Sequence, residues 1–210
     1  MSALLVIAKE PRPGRVKTRL CPPCDSEQAA GLADASLRDT LSAARAATAS
    51  RRVLIFDGDA SRYRDGFEVI AQGGGDLASR LASGFAAIGS PAFLIGMDTP
   101  QITAVELERA MDELDRPGCG AVLGPTLDGG YWGIGLRRPE RAAFEGVPMS
   151  SSTTFEAQLD ALHALGLSVR ILPTLRDVDL FEDALAVAQT IPGSNFGRCV
   201  RKVAERLMPA

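Results

Sequence analysis

Phe93-Leu94-Ile95-Gly96-Met97-Asp98-Thr99-Pro100 is an apolar run that stops at a glycine, places one carboxylate and then turns. Such a run reads as a buried strand, and Thr103-x-x-Glu106 just beyond it has the form of a helix capping box. Asp98 therefore falls at the carboxyl end of a central strand. In an open α/β sheet ligands bind at that edge, and a carboxylate there is suited to hold a divalent ion against phosphates. The other reading of Asp98 is a simple turn cap, a common use of aspartate.

Upstream, Ala3 to Ala8 is a continuous apolar run, the pattern of a strand buried on both faces of a parallel sheet. Lys9-Glu10-Pro11-Arg12-Pro13-Gly14-Arg15-Val16-Lys17-Thr18-Arg19-Leu20 follows at once, with five basic residues, two prolines and a glycine. So much charge on a loop at the mouth of a strand suggests a grip on phosphate. The glycine spacing of a Walker A loop is absent; a solvated surface loop is the other reading. Ser26 to Ala47 reads as a long helix with Ser26 as N-cap, and Arg51 to Asp57 and Phe67 to Ala71 read as strands. Gly73-Gly74-Gly75-Asp76 leads into a helix running to about Ile88, and its glycines permit close backbone approach to a ligand.

Downstream, Gly120 to Gly124 is another buried strand, and Asp128-Gly129-Gly130 is a turn before the strand at Tyr131 to Leu136. Trp132, the only tryptophan, stands beside that turn; it suits the floor of a sugar pocket, or else the core. Met149 to Thr154 is rich in hydroxyls and leads into a helix over Phe155 to Leu165, with Thr153-x-x-Glu156 as a second capping box. A last strand, Leu167 to Leu172, precedes Leu175-Arg176-Asp177-Val178-Asp179-Leu180. Helices follow from about Glu182 to Gln189 and from Phe196 to Leu207.

Strands alternating with helices predict a mostly parallel sheet covered on both sides. At 210 residues the chain has the size of one domain, spanning 1–210. A net charge of −3 gives no general attraction to nucleic acid or to an anionic membrane. With no apolar window long enough to span a bilayer and no signal-peptide pattern, a cytoplasmic location is expected. Cys21-Pro-Pro-Cys24 has no second pair to complete a zinc site and does not open a helix after a strand, as a redox motif would. His163, the only histidine, falls in a helix, and no nucleophile elbow accompanies it.

The chain resembles the nucleotide-diphospho-sugar transferase (GT-A) superfamily, most closely its small bacterial branch of arsenosugar-biosynthesis-type glycosyltransferases, and is similar in part to phospholactate guanylyltransferases. The motifs that carry this are P-G-R-V-K-T-R-L at 13–20, G-D-L-A-S-R-L at 75–81, I-G-M-D-T-P at 95–100, G-P-T-L-D-G-G-Y-W-G-I-G-L at 124–136 and L-R-D-V-D-L at 175–180. Met149 stands where the family has tryptophan, and Leu180-Phe181 replaces Thr-Pro after Asp179.

The resemblance implies a Rossmann-like GT-A fold, a three-layer α/β/α sandwich with a mostly parallel central sheet. It implies Lys17 and Arg19 on phosphates and Asp98, with Asp179, as ligands of Mg2+ or Mn2+. Further substrate contacts are expected from Ala8, Lys9, Gly14, Arg15, Asp76, Arg80, Gly129, Gly130, Trp132, Ser150 and Ser151. Lys17, Asp98 and Asp128 are the catalytic candidates, Asp128 as a base toward an acceptor hydroxyl. Three functions are open: a metal-dependent glycosyltransferase with a nucleotide-sugar donor and a small-molecule acceptor, a nucleotidylyltransferase using a nucleoside triphosphate, and a non-catalytic nucleotide-sugar binder. Monomer and homodimer both fit.

Overall fold

A computed structural model describes residues 1–207. Its elements are β1 (Ala3–Lys9), α1 (Ser26–Ala46), β2 (Arg52–Asp57), β3 (Glu68–Ala71), α2 (Leu77–Ile88), β4 (Ala92–Ile95), α3 (Ala104–Asp115), β5 (Ala121–Pro125), β6 (Tyr131–Leu136), α4 (Thr154–Ala164), β7 (Val169–Ile171), α5 (Phe181–Thr190) and α6 (Asn195–Leu207). The seven strands form one sheet in the order β3-β2-β1-β4-β6-β5-β7. Every pairing is parallel except those of β6, which runs antiparallel to both β4 and β5.

Side chains alternate across each strand, so the apolar runs feed two cores. Leu4, Val6, Phe93 and Ile95 pack toward Leu37 and Leu41 of α1 and Leu107 and Leu114 of α3. Ala3, Leu5 and Leu94 face the other way, toward Leu81 and Phe85 of α2 and Leu162 of α4. All four residues of β4 are buried, which accounts for the unbroken apolar sequence there. A third cluster packs α5 and α6 on the outer side of α1, through Leu32, Ala184, Val187, Phe196 and Val200. Asp39 of α1 fixes that contact by accepting hydrogen bonds from the backbone N–H groups of Asn195 and Phe196. The three-layer α/β/α arrangement with a mostly parallel sheet is as the sequence predicts.

Three local expectations need correction, and the place of Trp132, open between pocket and core, is decided. Asp25, not Ser26, caps α1, because Gln28 three residues on completes a reciprocal capping box with it. Thr153 makes no cap bond to α4, since its hydroxyl is taken by Ser151, whereas the Thr103–Glu106 box forms as expected. β7 is shorter than its apolar run and occupies only 169–171. Trp132 lies in the core, 5% exposed, edge-on to Phe93 with ring centroids 5.7 Å apart. Its indole N–H donates to the Pro173 carbonyl, and a Cβ on Gly124 would lie 2.4 Å from the ring, so glycine there is what lets the indole lie flat on β5.

Among the described residues, no helix is long and apolar enough to cross a membrane.

Candidate active site

The carboxyl ends of β1, β2, β4, β5 and β7 share one edge of the sheet, and reversal of β6 brings the short 126–130 turn to that same edge. The candidate residues after each strand therefore face one crevice. Its two walls meet at Lys17. The Lys17 ammonium is 2.6 Å from Asp98 Oδ1 and also donates to the Val178 carbonyl, and its side chain is only 10% exposed. Val178 N–H in turn donates to the Asp98 carbonyl at 2.9 Å, tying the 175–180 segment to the turn after β4. Lys17 has a left-handed backbone (φ 48°), a sparse region for a residue with a side chain. Such strain persists where surrounding contacts over-determine it, as the two anchors on its Nζ do here.

One wall is basic. Lys9, Glu10, Arg12, Gly14, Arg15 and Val16 line a cleft of about 340 Å3 with Asp57 and Gly58 of the β2 end. Glu10 accepts from Arg12 and from the Asp59 N–H, pinning the loop to the β2–β3 connection; both contacts hold its carboxyl below the usual range. Lys9 and Arg15 are exposed beside it. Ala8 contributes no open surface: it is 2% exposed and its carbonyl accepts from Gln72 Nε2 at 2.7 Å, which removes it from the substrate-contact set. The other end of Gln72 accepts from Arg80 at 3.3 Å, so this amide, which the sequence reading did not single out, holds Arg80 toward the end of β1. Asp76 caps α2 by accepting from Ser79 N–H. A second cleft of about 580 Å3 lies beyond Gly58 toward β3 and contains none of the candidate residues.

The opposite wall is acidic. Asp128 Oδ1 accepts from the Thr126 hydroxyl at 2.6 Å and from Gly130 N–H at 2.9 Å, which closes the turn and leaves the carboxylate exposed. Gly129 presses against the Ser152 carbonyl, and its own carbonyl accepts from Phe155 N–H, so the Asp128 turn and the Ser150–Ser151 loop form one unit. Arg19 pairs with Asp179. Asp177 and Asp179, both half-buried, flank Val178, which is 1% exposed. Burial, with the nearby Asp128 charge, pushes Asp177 up to about 6 against the pull of Lys17. The sequence places Asp177 with Asp179 on the acidic side of the crevice but gives a metal role to Asp179 alone.

That shift has a testable consequence. The folded chain holds the Asp177 proton more tightly than the unfolded chain, so this contribution to stability is fully present below about pH 4 and is lost as pH rises through about 6. Asp177→Asn never ionises. It is expected to exceed the native protein in stability by about 1–2 kcal/mol at pH 8, after discounting for partial solvent exposure, and to match it near pH 4. Melting temperatures of both proteins at the two pH values check this; a gap that does not change with pH would refute it.

Among the described residues no group of three or more acidic, cysteine or histidine side chains converges. Asp98 and Asp179 are two hard oxygen donors on segments joined by a backbone hydrogen bond, 47% and 34% exposed. Two carboxylates with the remaining positions left to phosphate and water is how Mg2+ is usually held, so the chemistry of these donors suits such an ion, which would compete with Lys17 and Arg19 for them. His163 is exposed on α4, away from this edge. All four cysteines are free, and burial pushes the Cys24 thiol up to about 11, far from a reactive thiolate.

No curated protein matches the sequence. Among solved structures, a protein of Desulfovibrio desulfuricans G20 provisionally called a nucleotide-diphospho-sugar transferase aligns with a TM-score of 0.87 at 24% identity, over 99% of this chain and 97% of its own. CMP:2-keto-3-deoxy-manno-octonic acid synthetase, complexed with CTP, aligns at 0.58 with 12% identity, over 91% and 98%. Rv0371C of Mycobacterium tuberculosis H37Rv, a complex with manganese, aligns at 0.53 with 20% identity, over 89% and 98%. These likenesses give the chain the fold shared by nucleotide-sugar transferases and nucleotidyltransferases. By sequence the chain belongs to the family described as "Uncharacterized protein conserved in bacteria" (DUF2064), whose match spans residues 35–151, more than half of the chain, and takes in Asp98 and Asp128.

Proposed function

We propose that the protein is a metal-dependent glycosyltransferase that moves a sugar from a nucleotide-diphosphate donor to a small hydroxyl acceptor. The observation that carries this is the crevice whose basic wall and acidic wall meet at the Lys17–Asp98 pair. Lys9, Arg15, Lys17 and Arg19 supply positive charge to the donor's phosphates, and the open backbone at Gly14 (φ 72°), with no heavy atom within 4 Å of a would-be Cβ, leaves room for them. Asp98 and Asp179 would hold Mg2+ or Mn2+, which when bound offsets the charge that develops on the leaving diphosphate. Lys17, nearly buried, adds a fixed charge at the same place without needing to reorganise.

In an inverting transfer the acceptor oxygen forms a bond to the anomeric carbon while the bond from that carbon to the phosphate oxygen breaks. The electron pair leaves with the nucleoside diphosphate, and the hydroxyl proton passes to Asp128, whose second oxygen is free of the turn's hydrogen bonds. Gly129, Gly130, Ser150 and Ser151 border the acceptor on this side. Nucleotidylyl transfer is the second reading, favoured by the five basic residues of the 9–19 loop, which suit a triphosphate.

A thermal-shift screen with Mn2+ or Mg2+ against nucleotide sugars, nucleoside diphosphates and triphosphates tests the proposal. A ligand selective for the native state raises stability by about 2.7 kcal/mol at a hundred times its Kd, so a modest binder registers. Metal-dependent stabilisation by one nucleotide sugar is expected. Preference for a triphosphate, with pyrophosphate release, would replace the first reading by the second.

A further inference from the structure

The charge on the acidic wall bears on what the acceptor is. An anionic acceptor needs positive charge, and on this wall the cationic groups are already committed. The Arg19 guanidinium is paired with Asp179 and passes to the donor's phosphates once that carboxylate takes the metal, and that of Arg176 is paired with Asp183 at 2.8 Å. Helix N-termini are the other ready anion sites, through their free N–H groups. At α4, Thr153 N–H donates to the Ser151 hydroxyl, Thr154 N–H to the Ser151 carbonyl and Phe155 N–H to the Gly129 carbonyl. At α5, the first turn itself carries Glu182 and Asp183, and the Asp183 carboxylate, which accepts from the N–H groups of Asp179 and Leu180, sets negative charge at that terminus. The rim beside the carboxylates also presents apolar side chains, with Leu127 62% and Leu180 49% exposed.

Charge count points the same way. Asp98, Asp128, Asp177 and Asp179 stand against Lys17 and Arg19. A divalent ion would not reverse the balance for the acceptor, because the donor's diphosphate arrives with it and takes up its charge.

We propose that the acceptor side of the crevice takes an uncharged or cationic hydroxyl compound and discriminates against acceptors bearing phosphate or carboxylate. This rests on the reading of the crevice as a nucleotide-donor site. It also separates the two functional readings, since transfer of a nucleotidyl group to a phosphorylated acceptor would bring that phosphate onto the acidic wall.

The test uses the full chain with Mn2+ and whichever nucleoside diphosphate stabilises it most. Glucose, glucosamine, glucose 6-phosphate and glucuronate are then titrated as second ligands, with the additional thermal shift as readout. The neutral and cationic sugars are expected to add stabilisation at concentrations about tenfold below the anionic ones. In Asp128→Asn and, separately, Asp177→Asn, the response to glucose 6-phosphate relative to glucose is expected to rise about tenfold. Asparagine keeps the acceptor oxygen that closes the 126–130 turn, and two independent variants guard against one that misfolds. Equal responses to neutral and anionic sugars, including no response to either, or a ratio unmoved in both variants, would overturn the proposal. If no nucleotide stabilises the native chain, the donor-site reading falls and the proposal with it. Nucleotide stabilisation with the reverse charge order overturns only the proposal.

Discussion

Asp98→Asn is expected to lower turnover by about three orders of magnitude and to abolish metal-dependent stabilisation by nucleotide, with little loss of fold. The size follows from what a single well-placed electrostatic group contributes to a transition state in which charge builds on a leaving diphosphate, roughly 3–4 kcal/mol. The stability cost is small for a structural reason. The Asp98 side chain is 47% exposed, so its pairing with Lys17 is screened by water, and the amide oxygen can still accept from the same ammonium. Lys17 also keeps its bond to the Val178 carbonyl. We expect a loss of about 1 kcal/mol or less. Steady-state kinetics with the donor found in the nucleotide screen, alongside a melting curve, separates the two effects; turnover within fivefold of native would remove Asp98 from the mechanism.

Gly129→Ala is expected to be the most damaging single-methyl change in the acceptor wall. A Cβ there would sit 2.0 Å from the Ser152 carbonyl oxygen and 2.6 Å from its carbon, both backbone atoms that cannot swing aside, and the residue has φ 88°. Left-handed strain and overpacking together amount to about 2–5 kcal/mol. Relief requires the Asp128 turn and the Ser150–Ser152 loop to part, breaking the bond from Phe155 N–H to the Gly129 carbonyl. Stability and acceptor-dependent turnover should therefore fall together, while nucleotide binding by the folded fraction persists. Denaturant unfolding with a parallel nucleotide titration checks this, and a native-like midpoint would contradict it.

The elements that were readable from sequence are those whose signal is local. The β4 run and the Thr103–Glu106 box lie within fifteen residues and formed as expected. The α1 cap was misplaced by one because Asp25 and Ser26 are both good caps by type, and only the partner at the third helical position, Gln28 for Asp25 but Ala29 for Ser26, distinguishes them. Trp132 was ambiguous because its place depends on which way β6 runs and which face it turns to the core. The turn before β6 spans only 126–130, too short for the crossover a parallel strand needs, so the reversal itself was legible in its length. What no local pattern carries is the Lys17 contact with Val178, 161 residues away, or the spending of the α4 amides on the Ser151 and Gly129 carbonyls.

The reversed strand β6 also sets an order of assembly. β5 and β6 pair across a five-residue turn, so the Asp128 turn is built from near neighbours in the chain and closes at low entropic cost. The junction of Lys17 with Asp98 and Val178 needs both ends of the chain in place, and closes a loop that spans most of it. Half of the acceptor wall is thus expected to be present in partly folded molecules, whereas the junction that unites the two walls comes last. Protection of the Val178 amide from hydrogen exchange would then report on the fully assembled chain, and it is the signal to follow when a variant's loss of activity must be told apart from its loss of fold.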